Sequence, residues 1–338
     1  MGTLSPSELG WRLQLVRGAI WQEAATSGDA YADLLRGLPA KPGRPGAAGL
    51  RRSTTGAWVC ADADLGRHVL TDERFGVRRA DGTKPHLQIL PVDEAGLGLE
   101  AADQRRIARV MEPLFSRETR VREHAEALLD GLGSAFDVIT GYAEPLARRV
   151  LAEVLGWDAD PAALAPLALV PDAMLTPPTL DQALALTAAC RRLRGTPARA
   201  GEDDVLAGKV AGSVLFLATA PTLLGNAVRS GEPYAVDRAL LQHPPLRLLP
   251  RVAHRDVVLG DVLLEEGSEI VVRVTIPDGA ELPEADRRYA MMLPLLRSTV
   301  TAGLAALHER CRRPVVHTTH WHARSPVTAR LARLEVTG

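Results

Sequence analysis

The chain has 338 residues, 46% hydrophobic and 24% charged, enough apolar material to bury a substantial core in one large unit or two smaller ones. Its formal net charge is −1 with no basic block or stripe, which excludes the clustered positive surface that nucleic-acid binding rests on. Cys60, Cys190 and Cys311 lie far apart with no zinc-type or redox spacing, which excludes a disulfide framework and fits reduced thiols in a cytoplasmic protein.

The first residues, MGTLSPSELGW, lack the basic start and apolar run of a secretory signal, and Pro6 stands where a myristoylation motif needs Ser or Thr. Ser7 and Glu8 open an amphipathic helix with Leu9, Leu13, Val16 and Ile20 on one face. Trp11 and Leu15 widen that face and Trp21 extends it. A Pro/Gly-rich loop covers 38–49. A short strand, a turn and a helix over about 64–70 follow. Helical periodicity then recurs at 101–114, 120–132, 143–155 and 180–193. The stretch 161–169 is only Ala/Leu/Pro-biased.

Residues 210–228 carry no charge over nearly the length of a membrane span. Gly225, Asn226, Pro221 and several hydroxyl side chains argue instead for a helix at the centre of a folded domain, apolar on all sides because all sides are covered. No membrane association is expected. Beyond it, Pro244 and Pro245 stop another helix and an Arg-punctuated extended stretch begins. Residues 255–264 read as two strands around a Gly-Asp turn, 270–274 as another strand, 287–310 as a helix and the remainder as a strand pair. The class is mainly α with small β portions.

No nucleophile elbow, Walker loop, dinucleotide fingerprint or zincin motif occurs. His317, His320 and His322 form the one metal-like group. On a strand His317 points away from the other two and no Cys or carboxylate completes the set, so the reading is a polar edge strand with Trp321 packed inward.

Taken in order, six segments resemble the bacterial cytochrome P-450 enzymes. WVCADADLGRHVLTDERFG is similar to the family's early strand and B helix, EAADQRRIARVMEPLFSRETRVRE to its C-helix region, and FDVITGYAEPLARRVLAEVLGW to its D–E region. LFLATAPTLLGNAV corresponds to the central I helix, AVDRALLQHPPLRLLPRVA to the K helix and the strand after it, and WHARSPVTARLARLEV to the C-terminal strand pair. The resemblance implies a degenerate cytochrome P-450 fold over residues 1–338 as one domain, with 1–38 an N-terminal helical segment assigned to partner binding.

The family's working residues are lost at the matching positions. The C-helix His and Arg that hold a haem propionate fall on Gln104 and Ala108. The I-helix acid becomes Ala218, leaving Thr219 without a proton source beside it, and Pro221 removes a backbone donor soon after. The K-helix ion pair becomes Arg238 and Leu241, a double change that leaves no stranded partner if Arg238 turns outward. No Phe-x-x-Gly-x-x-x-Cys loop precedes the last helix; Cys311 lies at its far end and Cys60 and Cys190 lie in other segments.

These losses resemble a narrower group, the haem-less helper proteins of antibiotic pathways. LGWRLQLVRGAIWQ and SGDAYADLL are similar to that group's leading segment. The resemblance implies a non-enzymatic activator that uses no cofactor or metal. It would bind a glycosyltransferase as a hetero-oligomer, through Trp11, Val16, Ile20 and Trp21, while the enzyme transfers a deoxyaminosugar to a macrolide or anthracycline polyketide. Two alternatives stay open at this point. One is a haem monooxygenase with unusual ligation through His254 or the 317–322 histidines; the other is an aglycone-binding protein using the vacated haem cavity.

Overall fold

A computed structural model describes residues 23–24, 26–35, 49–83, 100–173, 175–176, 178–194, 203–230, 236, 240, 246–274, 291–322, 325–328 and 330–338. The elements in chain order are α1 (Ala30–Leu35), β1 (Leu50–Arg52), β2 (Trp58–Cys60), α2 (Ala63–Thr71), β3 (Phe75–Gly76), α3 (Ala101–Phe115), α4 (Val121–Leu129) and β4 (Ala135–Asp137). A π-helical turn, Val138–Ala143, leads into α5 (Glu144–Leu155); a 3-10 segment, Pro161–Leu169, precedes α6 (Val170–Ala173), α7 (Leu180–Arg194) and α8 (Asp203–Ser230). The chain closes with β5 (Leu248–Ala253), β6 (Val257–Leu259), β7 (Val262–Leu264), β8 (Glu269–Arg273), α9 (Leu293–Arg310), β9 (Val315–Trp321) and β10 (Leu331–Thr337).

The axis of the fold is α8, whose 28 residues make a rod about 42 Å long at 1.5 Å per residue. Residues 210 to 228 are buried without exception, and the elements packed around them are α3, α5, α6, α7, α9, β10, the π turn and the 3-10 segment. That enclosure explains why a membrane-like stretch of sequence serves as core. Close approach requires small residues on α8. A Cβ on Gly212 would lie 2.2 Å from Phe115 Cζ, and one on Gly208 would lie 2.2 Å from Met111 Cγ. The aromatic and thioether side chains of α3 therefore occupy the space that a larger residue on α8 would take. Arg106 locks the same pair at its end, with Nε and Nη2 donating to Asp204 at 2.7 and 2.9 Å and Nη1 donating to Asp103 at 2.7 Å.

On another side, α8 meets α9. Tyr142 of the π turn is fully buried and donates its hydroxyl to the Gly303 carbonyl of α9 at 2.6 Å, which satisfies the one polar atom of a ring otherwise packed in core. Burial also raises the Tyr142 pKa well above that of a free phenol. The helix expected over 287–310 begins at Leu293, with Pro294 in its first turn, where no N–H is needed.

A five-stranded sheet of order β1-β2-β8-β5-β3 lies beside the helices, antiparallel except for the β2–β8 pair. Ile270, Val271 and Val272 are all fully buried because the sheet is covered on both faces: Val271 joins the main core, while Ile270 and Val272 join a smaller cluster with Cys60 and Val69. The second sheet, of order β4-β10-β9, is antiparallel throughout, and β6–β7 form a separate hairpin. The Gly260-Asp261 turn joins that hairpin as the sequence pattern indicates. The 3-10 segment was not legible, since Pro161 and Pro166 interrupt the helical pattern; Leu164 and Leu167 nonetheless point into the core.

Gly212→Val should cost about 1–3 kcal/mol by overpacking against Phe115. In urea unfolding, the pair with Phe115→Ala should be less destabilised than the two single variants added together. Acid sensitivity should also appear at the end of α2, where hydrogen bonds from the Arg74 guanidinium hold the Asp72 pKa down at about 2 against an ordinary 3.8. Because the folded value is depressed, this contribution is present above about pH 4 and is lost as the pH falls towards 2. Asp72→Asn should flatten that part of the stability–pH curve.

Candidate functional site

The positions expected to serve a haem lie on α3, α8, the segment before β5 and the start of α9. On α3, Gln104 and Ala108 are half-buried on the face that carries Ile107, Met111 and Phe115 towards α8. The helix's Arg105 and Arg109 are exposed on the opposite side, and Arg106 is committed to Asp103 and Asp204. No cation of α3 among these projects from the face where a propionate would sit.

At the middle of α8, Ala218 and Thr219 are both fully buried. The Thr219 hydroxyl has no hydrogen-bond partner, and the next hydroxyl, Thr222, donates back to the Ala218 carbonyl at 3.0 Å. Pro221 cannot donate to the carbonyl of Leu217, and a cavity of about 20 Å³ opens there, lined by those two residues with Glu144, Arg148, Ala165 and Ala168. That space suits one water-sized guest. Arg238 and Leu241 lie outside the described residues; Val236 and Leu240 beside them are buried.

A haem of this fold family needs an axial thiolate, and the described cysteines do not offer one. Cys60 is buried at the end of β2 in the first sheet, and burial pushes its thiol up to about 11, which keeps the proton on sulfur. Cys311 is buried past the last turn of α9, where its backbone N–H donates to the Leu307 carbonyl. Cys190 has no described side chain. His254 is tied to the first sheet, its Nε2 2.9 Å from the Arg78 carbonyl oxygen. His317 lies 2.8 Å from the Thr337 hydroxyl, and no group of three metal-ligating side chains occurs among the described residues. Among the described residues, the cysteines and histidines do not fit the axial ligation that such a haem needs.

His317 and His320 occupy an edge strand, β9, as expected, and His322 lies just past its end. Trp321 does not pack inward. It is 47% exposed, and the Arg229 guanidinium at the end of α8 lies 5.8 Å from the centre of its ring. Register shifts in the β9–β10 pairing, between Leu331 and Arg333 and between Glu335 and Val336, undo the simple alternation on which the inward orientation rested. Trp11, Val16, Ile20 and Trp21 lie outside the described residues.

One constellation has no counterpart in the sequence reading. Asp172 of α6, 4% exposed, accepts from Val327 N at 2.8 Å, Thr328 N at 3.1 Å, the Ser325 hydroxyl at 2.7 Å and the Thr328 hydroxyl at 2.5 Å. The turn it holds carries Arg247 on one side and Arg330 on the other: the Arg247 N–H donates to the Val327 carbonyl and the Arg330 N–H to the Ser325 hydroxyl. Asp172, Arg247 and the 325–330 turn are each more than 70 residues apart in sequence, and no local pattern announces them.

Restoring the lost acid should expose how completely this region has become packing. Ala218→Asp places a carboxylate at a fully buried position. The expected outcome is a loss of about 3–5 kcal/mol in denaturant unfolding, with no gain of oxygen chemistry.

No family model matches the chain. Among curated proteins it is 30% identical over 343 residues to protein AknT of Streptomyces galilaeus, covering 79% of this chain and 77% of AknT. It is 30% identical over 417 residues to protein TylM3 of Streptomyces fradiae, covering 99% of this chain and 96% of TylM3. The cytochrome P-450 family protein EryCII of Saccharopolyspora erythraea is 30% identical over 317 residues, with 85% and 84% covered. Since the alignment to TylM3 extends over 417 positions against 338 residues here, the relative carries insertions that this chain lacks. Among solved structures, ligand-free CYP164A2 of Mycobacterium smegmatis superposes with a TM-score of 0.65 at 18% identity, covering 95% of this chain and 99% of that one.

Proposed function

The chain belongs to the cytochrome P-450-like auxiliary-protein family of AknT, TylM3 and EryCII, and from this premise we propose that it is a non-catalytic activator of a glycosyltransferase. In this reading it acts in the cytoplasm of an antibiotic producer. It binds and stabilises an enzyme that attaches a deoxyaminosugar to a macrolide or anthracycline polyketide.

The observation that carries the reading is the state of α3 and α8. The scaffold is retained, while Gln104, Ala108 and Ala218 stand where the parent chemistry needs cations and an acid, and lie half-buried or buried in the helix packing. A chain that keeps this scaffold without those groups retains a shape rather than a reaction. A partner that binds only the competent conformation of an enzyme raises its population and resists its unfolding.

The whole of 1–338 is treated as one P-450-like unit, with 1–38, and Trp11, Val16, Ile20 and Trp21 within it, contributing to the interface. The β6–β7 hairpin supports a protein-binding role independently. Val258 and Leu263 face each other across it and are 66% and 56% exposed, an apolar pair that covers no core of its own.

Co-expression with the glycosyltransferase encoded beside it tests the proposal. The two chains should co-purify, and sugar transfer per mole of glycosyltransferase should rise at least tenfold over the enzyme alone. A stable, fully active glycosyltransferase with no complex would overturn the reading.

A further inference from the structure

We propose that Arg247 and Arg330 form the floor of a binding site for a small oxyanion, a phosphate- or carboxylate-bearing molecule, beside the turn that Asp172 holds. This goes beyond the activator reading and does not depend on it. Both arginines are fixed by the same few residues. Arg247 precedes β5, and its N–H donates to the Val327 carbonyl at 2.7 Å while its own carbonyl accepts from Val274 N at 2.8 Å. Arg330 precedes β10, and its N–H donates to the Ser325 hydroxyl at 3.2 Å while its carbonyl accepts from His322 N at 3.0 Å. The backbone of two arginines from distant parts of the chain is thus anchored to one turn, and Asp172, which holds that turn, acts on the Arg247 side chain.

Among the described residues, neither arginine donates its Nε to a carboxylate. Arg330 is 9% exposed, and the Nε atoms of Arg330 and Arg247 are both buried without a hydrogen-bond partner. Asp172 is the carboxylate that acts on this group, and all four of its hydrogen bonds described above go to the turn, none to a guanidinium. Arg273, opposite Leu248 in the β5–β8 register, and the His322 ring add further cationic or ionisable groups nearby. The Arg247 pKa is lowered, first by burial and then by Arg273, with Asp172 opposing; the His322 pKa is lowered by burial and by Arg330. Among the described residues, three guanidiniums against one carboxylate leave an excess of positive charge in a partly desolvated place.

A buried arginine with idle donors is costly unless an anion meets it. Guanidinium is also the group best shaped to take two oxygens of a carboxylate or phosphate at once. Arg330 supplies the depth of the site, while Arg273 and His322 are exposed and give it an open rim. An oxyanion from solution would approach the arginines past Arg273 and His322.

Thermal unfolding of the full chain in inorganic phosphate and in acetate, each against chloride of equal ionic strength, tests this. At saturating anion the midpoint should rise by roughly 2–8 °C above the chloride control. A larger response to phosphate assigns the ligand to phosphate esters, and a larger response to acetate assigns it to carboxylic acids. Arg247→Met and Arg330→Met should each abolish the response. Should Arg330→Met not fold, the half-buried Arg247→Met carries the same readout. No rise over chloride in the unaltered protein, or an undiminished rise in Arg247→Met, would overturn the proposal.

Discussion

Everything in this structure depends on how closely α8 can be approached. A helix of 28 residues with no charge between Val210 and Val228 can remain in water only if it is enclosed, and it is enclosed by helices, a strand and two irregular turns. Gly208 and Gly212 set the distance to α3, because Met111 and Phe115 take the volume that side chains there would fill. Arg106 then fixes the axial position of α3 through Asp204. With that contact in place, the N-terminal half of α8 is committed to α3 and its middle to α5 and the 3-10 segment. Dense packing of this kind rewards filled volume and penalises unpaired polar groups, and positions released from chemistry are free to become part of it.

Ala218 is better suited to a fully buried helix face than an acid would be, and the Thr219 hydroxyl beside it is buried without a hydrogen-bond partner. Gln104 and Ala108 sit on the same stripe as Ile107 and Met111, so they face the helix packing that Gly208 and Gly212 permit. A P-450-like framework without these groups can serve as a rigid body for another protein to bind. The exposed Val258–Leu263 pair on the β6–β7 hairpin and the cationic group at Arg247 and Arg330 lie on other parts of that body. They give it separate surfaces for a protein and for a small ion.

The elements legible in the sequence are those with local causes. Periodic apolar residues mark α3, α4, α5 and α7, and the Gly260-Asp261 turn marks the β6–β7 hairpin. What could not be read arises between distant segments. The parallel β2–β8 pairing joins residues about 210 apart, and Asp172 meets Ser325 across 153. Trp321 was misread because two register shifts in a seven-residue edge strand outweigh its alternation. The Arg247–Arg330 site was invisible for the same reason as the Asp172 turn that creates it.

The central claim is that this framework persists without haem, and haem content measures it most directly. The full chain, expressed with excess haem precursor and purified, can be assayed as the pyridine haemochrome and scanned for a Soret band with and without carbon monoxide. The account predicts far less than one haem per chain and no carbon monoxide-dependent shift characteristic of thiolate ligation. One tightly held haem per chain with such a shift would contradict it.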